Sequence, residues 1–121
     1  MDKKIRIGFV GAGGIARAHA KYYKNIPFVE FEAVSDIDIE KAKEFAEIYG
    51  VPKDNVFKDY VDMFDKVQLD GVSICTPHKL HAAPTIYALK RGVHVLVEKP
   101  MAATASDALE MLRTAIQYRS I

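Results

Sequence analysis

The chain has 121 residues, with 17 Lys and Arg against 16 Asp and Glu, which predicts one domain and a nearly neutral molecule. Half of the residues are hydrophobic and 27% are charged, a balance that argues against a disordered or collagen-like chain and predicts a real core. Interleaved charges exclude a broad nucleic-acid face, no run approaches the roughly 20 apolar residues of a spanning helix, and the charged, glycine-bearing start MDKKIRIGFVGAGG lacks a signal peptide's apolar stretch. A cytoplasmic protein is expected, one that binds neither nucleic acid nor membrane.

Short runs rich in Val, Ile and Phe alternate with longer segments of helical periodicity, the pattern of βα units around a mostly parallel sheet. IRIGFV at 5–10 predicts the first buried strand, and a helix follows from Ile15 to the NIP at 25–27, where proline disfavours helical geometry in the residue before it. FVEFEAVSD at 28–36 predicts strand two. IEKAKEFAEIYG at 39–50 predicts an amphipathic helix, with Asp38 as N-cap, Ala42, Phe45, Ala46 and Tyr49 on one side, and Gly50 as its stop. A short edge strand at Val56 and Phe57 precedes a compact helix at 60–66, and GVSIC at 71–75 predicts a further buried strand. The segment from Lys79 to Lys90 predicts a helix ending at Gly92, and HVLVE at 94–98 the next strand. Thr104 or Ser106 is placed to cap a last helix with Ala108, Leu109, Leu112, Ala115 and Ile116 on its apolar face.

GAGGIA at 11–16 lies between a predicted strand and a predicted helix, the context in which a Gly-x-Gly spacing signals phosphate binding. Gly11 permits the tight turn, Gly13 lets the backbone approach a pyrophosphate, and Ala16 allows close helix packing. The helix start supplies N–H donors and partial positive charge, so Gly11, Ala12, Gly13, Gly14 and Ile15 are candidate cofactor-binding residues. The plainer reading is a glycine turn between any strand and helix. Asp36 closes strand two roughly 20 residues further on, where a carboxylate accepts hydrogen bonds from both adenosine ribose hydroxyls. Its charge would repel a 2′-phosphate, so NAD is favoured over NADP, although Lys41 and Lys43 are near in sequence. A helix-capping or turn aspartate is the alternative. His19 reads as a packing or surface group, and the single Cys75 as a buried small side chain with no metal-ligand cluster near it in sequence.

Together with GAGGIA and Asp36, the segment TPHKLHAAPTIYALKRGVHVLVEKP at 76–100 resembles the N-terminal nucleotide-binding domain of the Gfo/Idh/MocA oxidoreductase family, over nearly the whole chain. The fold implied is a Rossmann-like three-layer α/β/α sandwich over residues 1–121, with strand order about 3-2-1-4-5. The resemblance implies that Thr76 and Pro77 run beside the nicotinamide ribose and ring, that His81 lies in the same crevice, and that Glu98 contacts the nicotinamide ribose. It also implies Lys99 as the catalytic residue, its ammonium hydrogen-bonded to a substrate hydroxyl or carbonyl. His78 is expected to be a local loop group and His94 to support its strand. The implied reaction is hydride transfer between NAD(P) and a sugar, polyol or related hydroxy or carbonyl compound. Family members add a second domain that supplies much of the substrate site. That domain is expected to be absent from these residues, so another domain or a partner would complete the site. A non-catalytic dinucleotide-binding or assembly module is the alternative, and HVLVE as an edge strand suggests a homodimer.

Overall fold

The computed structural model describes residues 4–76 and 82–96. Five strands, β1 (Ile5–Val10), β2 (Val29–Ser35), β3 (Val56–Phe57), β4 (Gly71–Ile74) and β5 (His94–Leu96), pair in parallel in the order β3-β2-β1-β4-β5. Helices α1 (Gly14–Tyr23), α2 (Ile39–Tyr49), α3 (Tyr60–Lys66) and α4 (Ala82–Lys90) make the connections. The expected order and sandwich are therefore present.

The strands pack on both faces because β1 is apolar on both. Ile5, Ile7 and Phe9 join Ala16, Ala20 and Tyr23 of α1 and Ala42, Phe45 and Ala46 of α2 in one core cluster. Val10 turns the other way, meeting Met63 and Phe64 of α3, Ala88 of α4 and Val72 and Ile74 of β4. A strand buried on both sides reads in sequence as a near-continuous apolar run, interrupted in IRIGFV by the partly exposed Arg6. Each large side chain so buried contributes about 1.5–3 kcal/mol.

Local chemistry sets the boundaries. The Asp38 side chain accepts from the Glu40 N–H at the start of α2, and Gly50 ends that helix in the left-handed region at φ 82°. Asp59 caps α3 in the same way through the Val61 N–H. A 3₁₀ turn at Lys53–Asn55, absent from the expectation, feeds β3. Strand two is one residue shorter than predicted at each end, and Cys75 falls just past β4 rather than inside it. The helix expected after Thr104 lies outside the described residues.

At the N-terminal end of the sheet, Asp70 joins three strands. It accepts from the Arg6 N–H at 2.9 Å and pairs with the Arg6 guanidinium at 3.2 Å, while its backbone bonds Arg6 and His94. The opposite, C-terminal end is thereby left to the loops that follow β1, β2 and β4.

Candidate functional site

β1 sits at the point where chain order reverses, with β2 on one side and β4 on the other. Open parallel sheets bind ligands in the crevice beyond the strand ends at such a position. Residues 11–13 leave β1 into this crevice and are tied to both neighbours. The Gly11 N–H donates to Ser35 O at 2.7 Å, and the Cys75 N–H donates to Val10 O at 2.7 Å. Gly11 turns with φ 97°.

Helix α1 then starts in a manner unlike α2 and α3. Its N-cap is Gly13, with no side-chain cap, and no acidic residue stands in its first turn. A β-carbon built on Gly13 or on Gly14 would meet nothing within 4 Å. The first-turn N–H groups of α1 thus combine open space, uncapped donors and the positive end of the helix dipole, the requirements of a phosphate site. Ile15 is exposed at the same end.

Asp36, directly after β2, faces this loop. The Ala12 N–H donates to its Oδ2 at 2.8 Å, and the Asp38 N–H donates to its Oδ1 at 2.8 Å. Its own N–H donates to Phe57 O at 3.0 Å, fixing the turn to β3. A carboxylate offers about four acceptor sites, so two remain, one for each hydroxyl of a ribose. The turn role and the binding role are therefore compatible in one residue. Lys43 pairs with Glu40 at 3.5 Å, and Arg17 of α1 pairs with Glu44. Among the described residues no Lys or Arg forms a salt bridge with the Asp36 carboxylate, the electrostatic setting that disfavours a 2′-phosphate. On the fit of chain to cofactor, the uncapped helix start and the acid beside it suit a dinucleotide with free ribose hydroxyls.

The sequence reading missed Ile37. It follows Asp36 with 80% of its surface exposed, an apolar side chain standing in the open next to the carboxylate. Its isolation between Asp36 and the capping Asp38 was the available signal. His19, expected to pack or face solvent, is 1% exposed and lies with its Nδ1 3.8 Å from Cys75 Sγ. It therefore links α1 to the end of β4. Cys75 is buried, as expected, and Thr76 is half-buried just beyond it. Pro77, His78, His81, Glu98 and Lys99 lie outside the described residues.

Strand order, switch-point loop and acid together define a nucleotide-binding α/β domain. The family model described as an oxidoreductase family with an NAD-binding Rossmann fold matches residues 5–121, and the chain belongs to this Gfo/Idh/MocA family. It is 39% identical over 112 residues to D-glucoside 3-dehydrogenase of Escherichia coli, covering 92% of this chain and 31% of that protein. The WlbA dehydrogenase from Chromobacterium violaceum, solved with NADH and UDP-GlcNAcA, superposes with a TM-score of 0.73 at 35% identity, over 97% of this chain and 33% of that one. A scyllo-inositol dehydrogenase from Lactobacillus casei, solved with NAD(H) and scyllo-inositol, gives 0.72 at 28% identity, over 98% and 35%. The chain spans about a third of the length of these relatives. Among the described residues, no helix is long and apolar enough to cross a membrane.

Proposed function

We propose that the chain is the NAD-binding domain of a cytoplasmic oxidoreductase that moves hydride between nicotinamide and a sugar, polyol or related small hydroxy or carbonyl compound. The uncapped N-terminus of α1 beside the Asp36 carboxylate carries this reading. Dehydrogenases of sugars and inositol among the relatives support it.

In this reading the N–H groups of residues 13–15 bind the pyrophosphate, and the two free acceptor sites of Asp36 take the adenosine ribose hydroxyls. Ile37 covers one face of the adenine with apolar surface. Thr76, Pro77, His81 and Glu98 belong to the nicotinamide side. Lys99 is the proposed catalytic residue, holding the substrate oxygen and stabilising negative charge as it develops there. Bound nicotinamide supplies the hydride chemistry.

Residues 1–121 form the dinucleotide domain in this proposal, and a further domain or a partner chain completes the substrate pocket. The relatives' threefold greater length supports that division. Self-association through β5, an outer strand of the described sheet, is the accompanying partner reading, and light scattering over a concentration series measures it directly.

Calorimetry tests the central claim. NADH should bind saturably and more tightly than NADPH, and an absence of NADH binding up to millimolar concentration would overturn it. Turnover of a sugar or polyol by the 121-residue chain alone would remove the need for a completing domain. A non-catalytic module would bind NADH yet gain no turnover when the missing portion of a relative is fused to it.

A further inference from the structure

We infer that Asp36 is a positioning residue for the glycine loop as well as a ribose ligand, and that its carboxylate sets the loop before a dinucleotide arrives. The inference rests on the dinucleotide-binding reading and goes beyond it.

Ala12 is buried, and its N–H donates to Asp36 Oδ2 at 2.8 Å. A buried donor without an acceptor is costly, and an ionised acceptor makes the stronger bond. One residue earlier, Gly11 donates to Ser35 O. These two successive bonds fasten residues 11 and 12 to the end of β2, and the first turn of α1 begins two residues later at Gly14. The direction in which the phosphate-binding N–H groups point therefore depends on the Asp36 carboxylate.

The chemistry of the acid is specified by the backbone itself. Oδ2 faces the Ala12 N–H and Oδ1 faces the Asp38 N–H, both at 2.8 Å. Only a group with two acceptor atoms satisfies both. An Asn amide in the same place turns its NH2 toward one donor or the other, whichever way it is flipped. A ribose ligand alone would impose no such condition, because hydroxyls both donate and accept.

The two roles separate with an NADH analogue whose adenosine ribose lacks both the 2′- and 3′-hydroxyls. A carboxylate acting only on the ribose has nothing to contribute to that ligand. A carboxylate that also sets the loop still matters to it, through the pyrophosphate. Asp36→Asn and Asp36→Ala should each weaken the analogue about tenfold, the effect of a loop that is binding-competent in a tenth of the molecules. Exchange of the Ala12 amide, followed by NMR without ligand, should accelerate in Asp36→Ala, which has no acceptor left, while that of Phe9 in β1 stays slow.

Equal affinity of the analogue for the variants and the unsubstituted chain, with NADH still bound by the latter, overturns the positioning role and leaves the binding reading intact. Failure of the unsubstituted chain to bind NADH overturns both. Loss of a cooperative thermal melt in both variants also overturns the positioning role, because Asp36 would then serve the fold as a whole.

Discussion

Gly11 lies so close to Cys75 that a β-carbon on it would stand 2.8 Å from the Cys75 carbonyl oxygen. The contact is with backbone, so no side-chain rotation relieves it. Its φ of 97° adds a conformation that side-chain-bearing residues rarely adopt. The β1–α1 loop therefore runs directly over the end of β4, bringing the phosphate side and the Thr76 side of the crevice together. Gly11→Ala should destabilise the fold by at least about 2 kcal/mol, from strain and displacement of the β4 end. Urea denaturation measures the loss, and NADH affinity should fall with it.

Gly13 predicts the opposite separation. Its φ of −86° suits any residue, and an added β-carbon meets no atom of the protein. Gly13→Ala should leave the unfolding free energy within about 1 kcal/mol of the original. The methyl group nevertheless enters the space where a pyrophosphate would lie against the helix start. NADH binding should weaken at least tenfold by calorimetry, and an unchanged affinity would place the phosphates elsewhere.

These two glycines show why much of the site was legible in the sequence. A tight turn and a close backbone approach each demand the same residue, so GAGGIA between a strand and a helix carries its geometry on its face. Asp38 and Gly50 were legible for similar reasons, because capping is a local interaction. The bond from Ala12 to Asp36 spans 24 residues and depends on the direction of one carboxylate, which no periodicity encodes. The exposure of Ile37 runs against its hydrophobicity, which taken alone suggests burial, and only its acidic neighbours Asp36 and Asp38 signal otherwise. His19 shows the reverse, a polar residue buried because α1 presents that side to the end of β4. The expected last helix and the residues around Lys99 lie outside the described residues, and the role of Lys99 rests on the family resemblance.

Asp70 and Arg6 form a pair that the sequence reading did not single out, 64 residues apart. Asp70 is 4% exposed, while Arg6 keeps 35% of its side chain in contact with solvent. Removing the acid would strand the Arg6 backbone N–H at the join of β1 and β4. Asp70→Ala should cost about 1–3 kcal/mol, the scale for leaving the Arg6 backbone N–H without its acceptor, because the partly exposed guanidinium can turn to water. The site lies at the other end of the strands, so NADH affinity should stay unchanged at temperatures where the variant is fully folded. A large affinity change in folded protein would show that the two ends of the sheet are coupled.

Tyr23 supplies a pH dependence. Its ring packs in the core beside Phe9 and His19, and the Ser73 hydroxyl donates to its oxygen at 3.3 Å. Burial raises the phenol above its ordinary value near 10, against the lowering effect of the Ser73 bond. As pH rises above about 10 the unfolded chain gives up this proton while the folded chain keeps it. The unfolded state then binds fewer protons, so stability falls with rising pH; below about 10 both states are protonated and the contribution is complete. Tyr23→Phe removes the titrating group. The variant should be about 1 kcal/mol less stable near neutrality, through loss of the Ser73 bond, yet lose less stability than the unsubstituted chain between pH 9 and 11 (roughly one unit either side of the free phenol value). Parallel slopes in thermal melts over that range would assign the alkaline loss to other groups, the half-buried Tyr87 among them, which the Asp65 carboxylate beside it also raises.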